Sequence, residues 1–404
     1  MSLSTRRQFL GTSLAAAGGL VLPRSVSQLF APSDTLRLGV IGTGGRGCWA
    51  VQVAQEQPGI EVVACCDTYT PHLEKGLALA APQARSYTDY RYLLEQADID
   101  AVVVATPLHL HAPMVLDALD AGKHVYCEKT MTYDIASSLA VVARARTSGR
   151  ILQVGYQNRV NPLFHRVSDI IRKGYIGPVK FIQCTWNRNG NWRRTVPDPS
   201  LEHQLNWRMY TAYSGGLLAE LSSHQLDIVN WVLGAHPLAV AGAGGISFWQ
   251  DGRETFDHVS ATYSYPEGVK AHFTCLTTNA HESFSMLFYG TKATIEVKNE
   301  QGQIGLIYPE PVQGANDTAA DAVSGATKEA LASGEPIPLL VPDPGEDDRL
   351  PTGNAFGHFA ACIRDGQTPL ASVEVGHYAG VAVHMGNLAL RNNRIETWQE
   401  AYDV

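Results

Sequence analysis

Positive charge is scarce in this sequence. Its 404 residues include 31 lysines and arginines against 39 aspartates and glutamates, which gives a formal net charge of −8 at pH 7. Proteins that bind nucleic acid or an anionic membrane surface need a clustered basic face, so this balance predicts neither partner. A small, uncharged or weakly charged substrate fits the composition better.

Cysteine is also sparse, and its spacing offers neither a zinc knuckle nor a C-x-x-C redox motif. The seven cysteines are odd in number and scattered along the chain. We therefore expect them to be small core side chains rather than disulfide partners, and we predict no metal site.

Apolar runs long enough to cross a bilayer are missing from the sequence as well. The run from Leu10 to Leu22 is too short and too rich in glycine and alanine for that role. It follows Arg6 and Arg7, which form a twin-arginine pattern. Residues 1–33 are therefore predicted to engage the twin-arginine export machinery and to direct the protein to the periplasm, with a membrane anchor if the signal stays uncleaved. An ordinary amphipathic first helix is the alternative.

The remaining chain reads as two domains. At 45% hydrophobic residues it can bury two cores. Residues 34–155 alternate short β-rich runs with helical stretches, a pattern typical of an α/β fold with a doubly wound parallel sheet. Residues 156–404 are expected to form an α+β domain with a large, mostly antiparallel open sheet and a long irregular insertion at 299–353. The open sheet face predicts a homo-oligomer.

A glycine-rich turn follows the first predicted strand and opens a helix. It has the pattern G-x-G-x-x-G and consists of Gly42, Thr43, Gly44, Gly45, Arg46 and Gly47. In a Rossmann domain these glycines allow a tight turn, close approach of a dinucleotide diphosphate, and close helix packing. Asp67 lies twenty residues beyond Gly47, where a carboxylate accepts ribose hydroxyls and repels a 2′-phosphate. This predicts NAD as the cofactor, and Arg46 leaves NADP as the alternative.

Four further blocks resemble the glucose-fructose oxidoreductase / inositol dehydrogenase / MocA family over essentially the whole chain after the signal. They are ATPLHLHAP from Ala105, AGKHVYCEKT from Ala121, VGYQNR from Val154, and GGLLAE from Gly215. The resemblance implies the two-domain fold described above and hydride transfer at a CH–OH group. It also implies cofactor contacts from Thr106, Pro107, His111, Glu128, Lys129 and Gln157. The family usually has Asn, Pro and Asp at the positions of Leu108, Thr130 and Glu220.

Lys129 is a candidate catalytic residue on its position alone. It follows a predicted strand at the carboxyl edge of the sheet, where open α/β folds bind their ligands. An ammonium there can donate a hydrogen bond to a substrate hydroxyl, and desolvation beside a cofactor would lower its pKa. Glu128 is expected to order the turn. A solvated surface lysine is the alternative.

A polar stripe on the predicted helix 216–233 is the second catalytic candidate. Glu220, His224 and Asp227 are spaced at i, i+4 and i+7, which places them on one helix face without a lysine or arginine beside them. A stripe of this kind is expected to face a cleft. The alternatives are an ordinary solvent-exposed surface or a buried network whose polar groups hydrogen-bond one another. The family resemblance implies that His224 is the general acid/base, that Glu220 tunes it, and that Asp227 supports it.

Aromatic and guanidinium groups are concentrated between these two candidates. Sugars bind such groups through aromatic faces and planar hydrogen-bond donors. The candidate substrate-binding residues, which share these chemistries or lie next to the nicotinamide block, are Tyr156, Asn158, Arg159, Trp192, Arg193, Trp207, Arg208, Tyr210, His224 and Asp227. Ordinary packing between domains is the alternative for each of them.

Three functions fit these features. The first is NAD(P)-dependent hydride transfer to or from a secondary alcohol of a sugar, polyol or glycoside, with the cofactor retained because no pool of free NAD exists outside the cytoplasm. The second is a redox-neutral glycosidase that oxidises a ring carbon transiently and eliminates the aglycone. The third is a non-catalytic sugar or cofactor sensor, against which the pair of Lys129 and His224 counts.

Replacing Asp67 with serine is expected to relax the preference for NAD toward NADP, because it removes the charge that repels a 2′-phosphate. Dissociation constants of both dinucleotides for the two proteins measure the effect. A wild-type protein that binds NADP more tightly than NAD would show that the interpretation of Asp67 is wrong.

Overall fold

The computed structural model describes residues 35–298, 304–310, 335–339 and 349–404. The export signal predicted at residues 1–33 lies outside these ranges. In the part of the chain described, none of the helices is long and apolar enough to cross a membrane. All seven cysteines fall within these ranges as free thiols, and every one except Cys48 is buried.

Six parallel strands form the N-terminal sheet in the order β3-β2-β1-β4-β5-β6. The strands are β1 Leu36–Ile41, β2 Ile60–Cys66, β3 Arg85–Tyr87, β4 Ala101–Val104, β5 His124–Cys127 and β6 Leu152–Val154. This order is that of a Rossmann domain, with its topological switch between β1 and β4. A ligand crevice is therefore expected at the carboxyl ends of these two strands, which is where the glycine turn and Thr106 follow.

Helices cover both faces of this sheet, because its central strands are apolar on both sides. The connecting helices are α1 Gly45–Gln55, α2 Thr70–Leu79, α3 Tyr90–Leu94, α4 His111–Asp120 and α5 Ile135–Ser148. A helix from the C-terminal part of the chain, α9 Leu350–Asp365, completes one layer. Its Phe356 and Phe359 rings lie 4.6 and 5.8 Å from the buried Tyr126 ring.

A second sheet of nine strands follows in the order β14-β13-β12-β11-β7-β10-β9-β8-β15. Its strands are β7 Val179–Asn187, β8 Ala239–Gly245, β9 His258–Ser264, β10 Lys270–Leu276, β11 Phe284–Gly290, β12 Ala293–Lys298, β13 Ile304–Pro309, β14 Ile337–Pro338 and β15 Glu396–Thr397. Only the pair β7 and β10 is parallel. The fold class expected from the sequence is confirmed: a Rossmann sheet followed by a mostly antiparallel one.

The segment expected to be irregular, 299–353, differs from that expectation where it is described. Strands β13 and β14 lie within it and extend the second sheet, and α9 begins at Leu350. The six residues of β13 are ordered by backbone pairing with β12. Local composition missed this strand because its pairing partner, not its own sequence pattern, supplies the stabilising hydrogen bonds.

Besides α9, the described residues of the second part of the chain form four α-helices, and the last of them joins the two cores. They are α6 Pro162–Arg172, α7 Glu202–Leu205, α8 Ser223–Leu233 and α10 Val373–Asn392. The first turns of α10 place Val373 and Ala379 in the core of the Rossmann sheet. Its later turns place Val381 and Met385 in the core under the second sheet. One continuous helix thus fixes the two sheets relative to each other.

The glycine turn is packed so closely that side chains are excluded from it. Gly42 has a φ of +88°, and a Cβ there would lie 2.8 Å from the Thr106 side chain. A Cβ on Gly47 would lie 1.8 Å from the carbonyl oxygen of Gly42. The turn and the first turn of α1 are therefore in backbone contact, which brings the amide groups of the helix N-terminus to the sheet edge.

Gly47→Ala is expected to destabilise the Rossmann domain by about 1–3 kcal/mol or more, because its Cβ would overlap the Gly42 carbonyl. Gly44→Ala is the matched control, since the nearest neighbour of its Cβ is the His72 ring at 3.7 Å. Thermal unfolding of both variants measures the difference. Equal melting temperatures would contradict the close packing of turn and helix.

Candidate active site

The N-terminus of α1 is suited to an anion. Gly44 caps this helix without a side-chain hydrogen bond, and its first turn contains no acidic residue. The helix dipole and the amides of the first turn therefore face the crevice without a capping side chain. The diphosphate of a dinucleotide fits this arrangement.

Asp67 is held rigidly at the end of β2, beside the glycine turn. Its carboxylate accepts hydrogen bonds from the backbone amides of Thr43 and Tyr69, each at 2.8 Å. Each carboxylate oxygen keeps a further lone pair, so ribose hydroxyls can still donate to it. Arg46 was the reason to keep NADP as the alternative cofactor. Its side chain instead donates a hydrogen bond to the buried Glu128 at 2.7 Å.

The predicted nicotinamide side is built from the ends of β4, β5 and β6. His111 is buried with its two ring nitrogens 2.9 and 3.0 Å from the carbonyl oxygens of Thr130 and Thr106. Pro107 precedes the short turn that leads into α4. The side-chain oxygen of Gln157 is buried and has no hydrogen-bond partner among the described residues. An unsatisfied acceptor here fits the carboxamide of a nicotinamide ring.

Lys129 reaches from the sheet edge to the other domain. Its ammonium donates to the backbone carbonyl of Glu220 at 2.8 Å and lies 3.4 Å from that of Ala219. Thr130 donates to the same Ala219 carbonyl at 3.3 Å. Burial lowers the pKa of Lys129, while the charges of Glu220 and Glu128 oppose that shift.

These carbonyls are available because the helix before α8 is wound as a π turn. Residues Leu218–Ser222 form this turn, and α8 continues from it. In a π turn the backbone bonds are displaced by one residue relative to an α-helix, and such turns are common at functional sites. The continuous α-helix predicted over 216–233 is therefore wrong in its first part. Glu220 lies in the π turn and His224 lies in the first turn of α8, so the two are not positions of one regular α-helix.

Glu220 is the partly buried carboxylate of this cluster. It accepts a hydrogen bond from Arg208 at 2.7 Å. Burial alone would raise its pKa, but the positive charges of Arg208 and Lys129 hold the pKa below its usual value. Glu220 is therefore ionised, and its charge is balanced on two sides.

His224 lies in an aromatic box. Its buried ring has its centre 5.8 Å from that of Tyr156 and 5.7 Å from that of Trp186. Within the described ranges its Nδ1 atom has no hydrogen-bond partner. Burial lowers the pKa of His224 well below its usual value, and the nearby charges of Lys129 and Arg46 act in the same direction. The ring is neutral at physiological pH and keeps an acceptor nitrogen.

Asp227 and Arg159, both expected to bind substrate, bind each other. The Asp227 carboxylate accepts from two guanidinium nitrogens of Arg159 at 2.8 and 3.0 Å. The guanidinium also lies over the Trp231 ring at 5.3 Å. Asn158 is buried nearby. The two side chains neutralise each other's charge and pack against residues of α8. Their hydrogen-bonding groups are therefore used within the protein.

A cavity of about 520 Å³ opens beside Glu220. Four arginines line it together with Trp192: Arg188, Arg193, Arg194 and Arg208. Trp192 has a φ of +64°, a conformation that is rare for a bulky residue and marks functional positions. Glu220, Arg208 and Trp192 also line a smaller adjoining pocket.

The other predicted substrate residues differ in their relation to this cavity: Arg193 lines it, whereas Trp207 and Tyr210 do not. Arg193 is paired with Glu202 and Asp251. Trp207 supports the Arg208 guanidinium, which lies 4.2 Å from the centre of its ring. Tyr210 donates to Glu202 at 2.8 Å. Trp207 and Tyr210 therefore support residues of the cavity wall, and Arg193 is part of that wall while its charge is paired within the protein.

The sequence analysis did not identify two side chains that contact the candidate site. Trp186 faces His224 from β7, and its only sequence signal is its place in an alternating strand. His72 lies beside the glycine turn, 3.7 Å from the position of a Gly44 Cβ. Nothing local to His72 marks it, because the contact depends on how α2 packs against the turn.

Known proteins resemble this chain in both of its parts. Residues 36–156 match the family described as "Oxidoreductase family, NAD-binding Rossmann fold". Residues 164–296 match the "GFO/IDH/MocA C-terminal domain". The two matches together cover more than half of the chain.

Curated relatives include two proteins named as oxidoreductases or dehydrogenases and one named as a glycosyl hydrolase. The uncharacterised oxidoreductase YrbE of Bacillus subtilis is 29% identical over 51% of this chain and 56% of its own length. Inositol 2-dehydrogenase of Salmonella typhimurium is 28% identical, over 49% and 55% respectively. A glycosyl hydrolase family 109 protein of Shewanella sp. is 28% identical, over 51% and 50%. The chain thus spans about half the length of these relatives.

Solved structures share the fold over a longer range. Levoglucosan dehydrogenase in complex with NADH and levoglucosan has a TM-score of 0.71 at 20% identity, covering 90% of this chain and 99% of its own. Aldose-aldose oxidoreductase from Caulobacter crescentus, complexed with glycerol, has a TM-score of 0.71 at 21% identity, covering 90% and 100%. The chain belongs to the Gfo/Idh/MocA family of oxidoreductases, and its N-terminal domain is an NAD-binding Rossmann domain.

Proposed function

We propose that this protein transfers hydride between NAD and a secondary alcohol of a sugar, polyol or glycoside, and that it retains the cofactor between turnovers. One observation carries the proposal. The ammonium of Lys129 and the neutral ring of His224 lie in one buried cluster around Glu220, which borders the 520 Å³ cavity. This cluster adjoins the carboxyl edge at which the dinucleotide site is built.

Bound NAD supplies the hydride acceptor or donor. The side chains of the cluster manage the hydroxyl proton. His224 is neutral, so it can accept that proton during oxidation and return it during reduction. Lys129 has three N–H donors, one of which is used by the Glu220 carbonyl. Another can donate to the substrate oxygen and stabilise negative charge that develops there.

The cavity wall supports a polyhydroxylated substrate. Trp192 offers an indole face, and Arg208 with Glu220 offers planar donors and acceptors in one ion pair. Sugar rings bind such surfaces through C–H contacts with the indole and paired hydroxyl contacts with the ions. The names of the inositol and levoglucosan dehydrogenases point to the same class of substrate.

A second candidate is the redox-neutral cleavage of a glycoside, supported by the similarity to a glycosyl hydrolase family 109 protein. Both candidates use the same proton-handling residues. Incubation with a single glycoside distinguishes them. Free aglycone without net NADH supports glycoside cleavage, whereas an oxidised sugar supports the dehydrogenase.

We also propose export by the twin-arginine route and self-association. Arg6 and Arg7 ahead of the apolar run support export, which would be lost in the Arg6→Lys, Arg7→Lys protein. Alternate residues of β10 are buried, while those between them are partly exposed, which leaves one face of the second sheet for a partner copy. Measurement of the molar mass in solution tests that proposal.

His224→Ala and Lys129→Ala are each expected to lower turnover by about 10²-fold or more, with NAD affinity close to wild type. The double variant is expected to lose little more than either single variant, because both groups act on one oxygen. His377→Ala is the control: it removes another buried histidine, one that bonds Ser138 and the Tyr402 carbonyl. Melting temperatures separate loss of activity from loss of folding. A folded, NAD-bound His224→Ala protein with near-normal turnover would overturn the assignment.

The pH dependence of kcat/KM is expected to reflect both lowered pKa values. His224 gains a proton only well below its usual pKa of 6.5, so activity persists as the pH falls through 6.5. Lys129 loses its proton below its usual pKa of 10.5, so activity declines on the alkaline side earlier than for an exposed lysine. A pH–rate profile of the wild type and of Lys129→Arg measures both limbs. An acid limb centred at 6.5 would contradict the burial of His224.

A further inference from the structure

A segment of the second domain crosses the crevice of the Rossmann domain. It comprises residues 191–210, between β7 and the π turn, and we call it the strap. Two of its side chains reach the Rossmann domain. Gln204 donates to the Thr68 hydroxyl at 2.9 Å, directly after Asp67. The guanidinium of Arg194 lies 3.5 Å from the position that a Cβ on Gly45 would occupy.

The backbone of Arg194 is fixed by a buried side chain. The amide group of Asn206 accepts from the Arg194 N–H at 2.7 Å and donates to its carbonyl oxygen at 2.9 Å. Asn206 is only 2% exposed. Arg193, the residue before Arg194, forms ion pairs with Glu202 and Asp251. These hydrogen bonds and ion pairs fix the backbone of the strap at Arg194.

Arg194 lies where positive charge already accumulates. The uncapped N-terminus of α1 carries a partial positive charge. Burial lowers the pKa of the His72 ring, Lys75 and Arg194 both lie close enough for their charges to lower it further, and Asp67 is the carboxylate that opposes this shift. The Asp67 carboxylate is bonded to the amides of Thr43 and Tyr69. Arg194 is exposed, and among the described residues no carboxylate forms an ion pair with it, so its guanidinium is accessible to an anion.

A guanidinium beside a positive helix end favours the binding of an anion that contacts both. The diphosphate of NAD is such an anion, and the glycine turn places it at this helix end. We propose that Arg194 binds the diphosphate of NAD from the side opposite α1, and that Gln204 closes the strap over the adenosine side. The dinucleotide would then leave only when the strap opens.

The strap supplies a physical basis for cofactor retention. This inference rests on the proposed function for its purpose, since retention matters to a protein that works where free NAD is absent. Its test, however, requires only NAD binding. Failure to oxidise sugars would refute the proposed function and leave the strap intact, whereas unchanged NAD release in strap variants would refute the strap alone.

The experiment measures release of NADH from the full-length protein. Protein loaded with NADH is mixed with excess ADP-ribose, and the loss of nicotinamide fluorescence gives the dissociation rate. Arg194→Ala is expected to raise that rate and the dissociation constant about tenfold to a hundredfold, as for loss of a charge-assisted hydrogen bond. Gln204→Ala is expected to raise the rate about threefold to tenfold, since it removes one neutral bond. The double variant is also expected to co-purify with less dinucleotide than the wild type.

Arg391→Ala is the matched control, because it removes an exposed arginine at the end of α10, away from the crevice. Arg194→Gln repeats the test with a polar side chain, and melting temperatures show that each variant is folded. The salt dependence of NAD affinity should weaken in Arg194→Ala but not in Gln204→Ala. NADH release as slow in Arg194→Ala as in Arg391→Ala would overturn the proposal. So would a change in sugar KM without any change in NADH release, because that would place Arg194 at the substrate.

Discussion

A buried ammonium has to find oxygen atoms, and that requirement joins the two halves of this protein. Lys129 leaves the edge of the Rossmann sheet and donates to the carbonyl of Glu220 in the opposite domain. Removing a lysine from water without such a partner costs several kcal/mol. The π turn exposes the carbonyl groups that meet this need. The position of this cluster is thus determined by hydrogen bonding and charge balance as much as by packing.

The charged residues around Lys129 are also paired with opposite charges. Glu220 faces Lys129 on one side and Arg208 on the other, while Glu128 holds Arg46 beside the glycine turn. His224 is surrounded by aromatic rings and by cations, both of which favour its neutral form. The site therefore combines a charged donor with a neutral acceptor in one enclosed space. Two groups whose environments separate their protonation states are what acid–base chemistry on a hydroxyl requires.

Much of this arrangement could be predicted from the sequence, and the reasons differ by residue. The glycine turn and Asp67 depend on short-range geometry, so their spacing along the chain was sufficient. The pairing of Asp227 with Arg159 joins two residues 68 positions apart, and each alone resembled a substrate ligand. The π turn replaces the first part of the expected regular helix, and its carbonyls accept hydrogen bonds from Lys129 and Thr130 in the other domain, a tertiary contact without local signal. The same holds for Trp186 and β13, whose positions depend on strand pairing.

The central claim is that the cluster around Glu220 oxidises or reduces a carbon of a sugar-like alcohol with an NAD that stays bound. The most direct test mixes the NAD-loaded protein with single polyols and glycosides and follows the near-ultraviolet absorbance of reduced nicotinamide during the first turnover. We predict that reduced nicotinamide forms in that turnover and elutes with the protein when the mixture is gel-filtered at once. A protein that binds NAD but shows no reduced nicotinamide with any polyol or glycoside, in the first turnover or later, would contradict the claim.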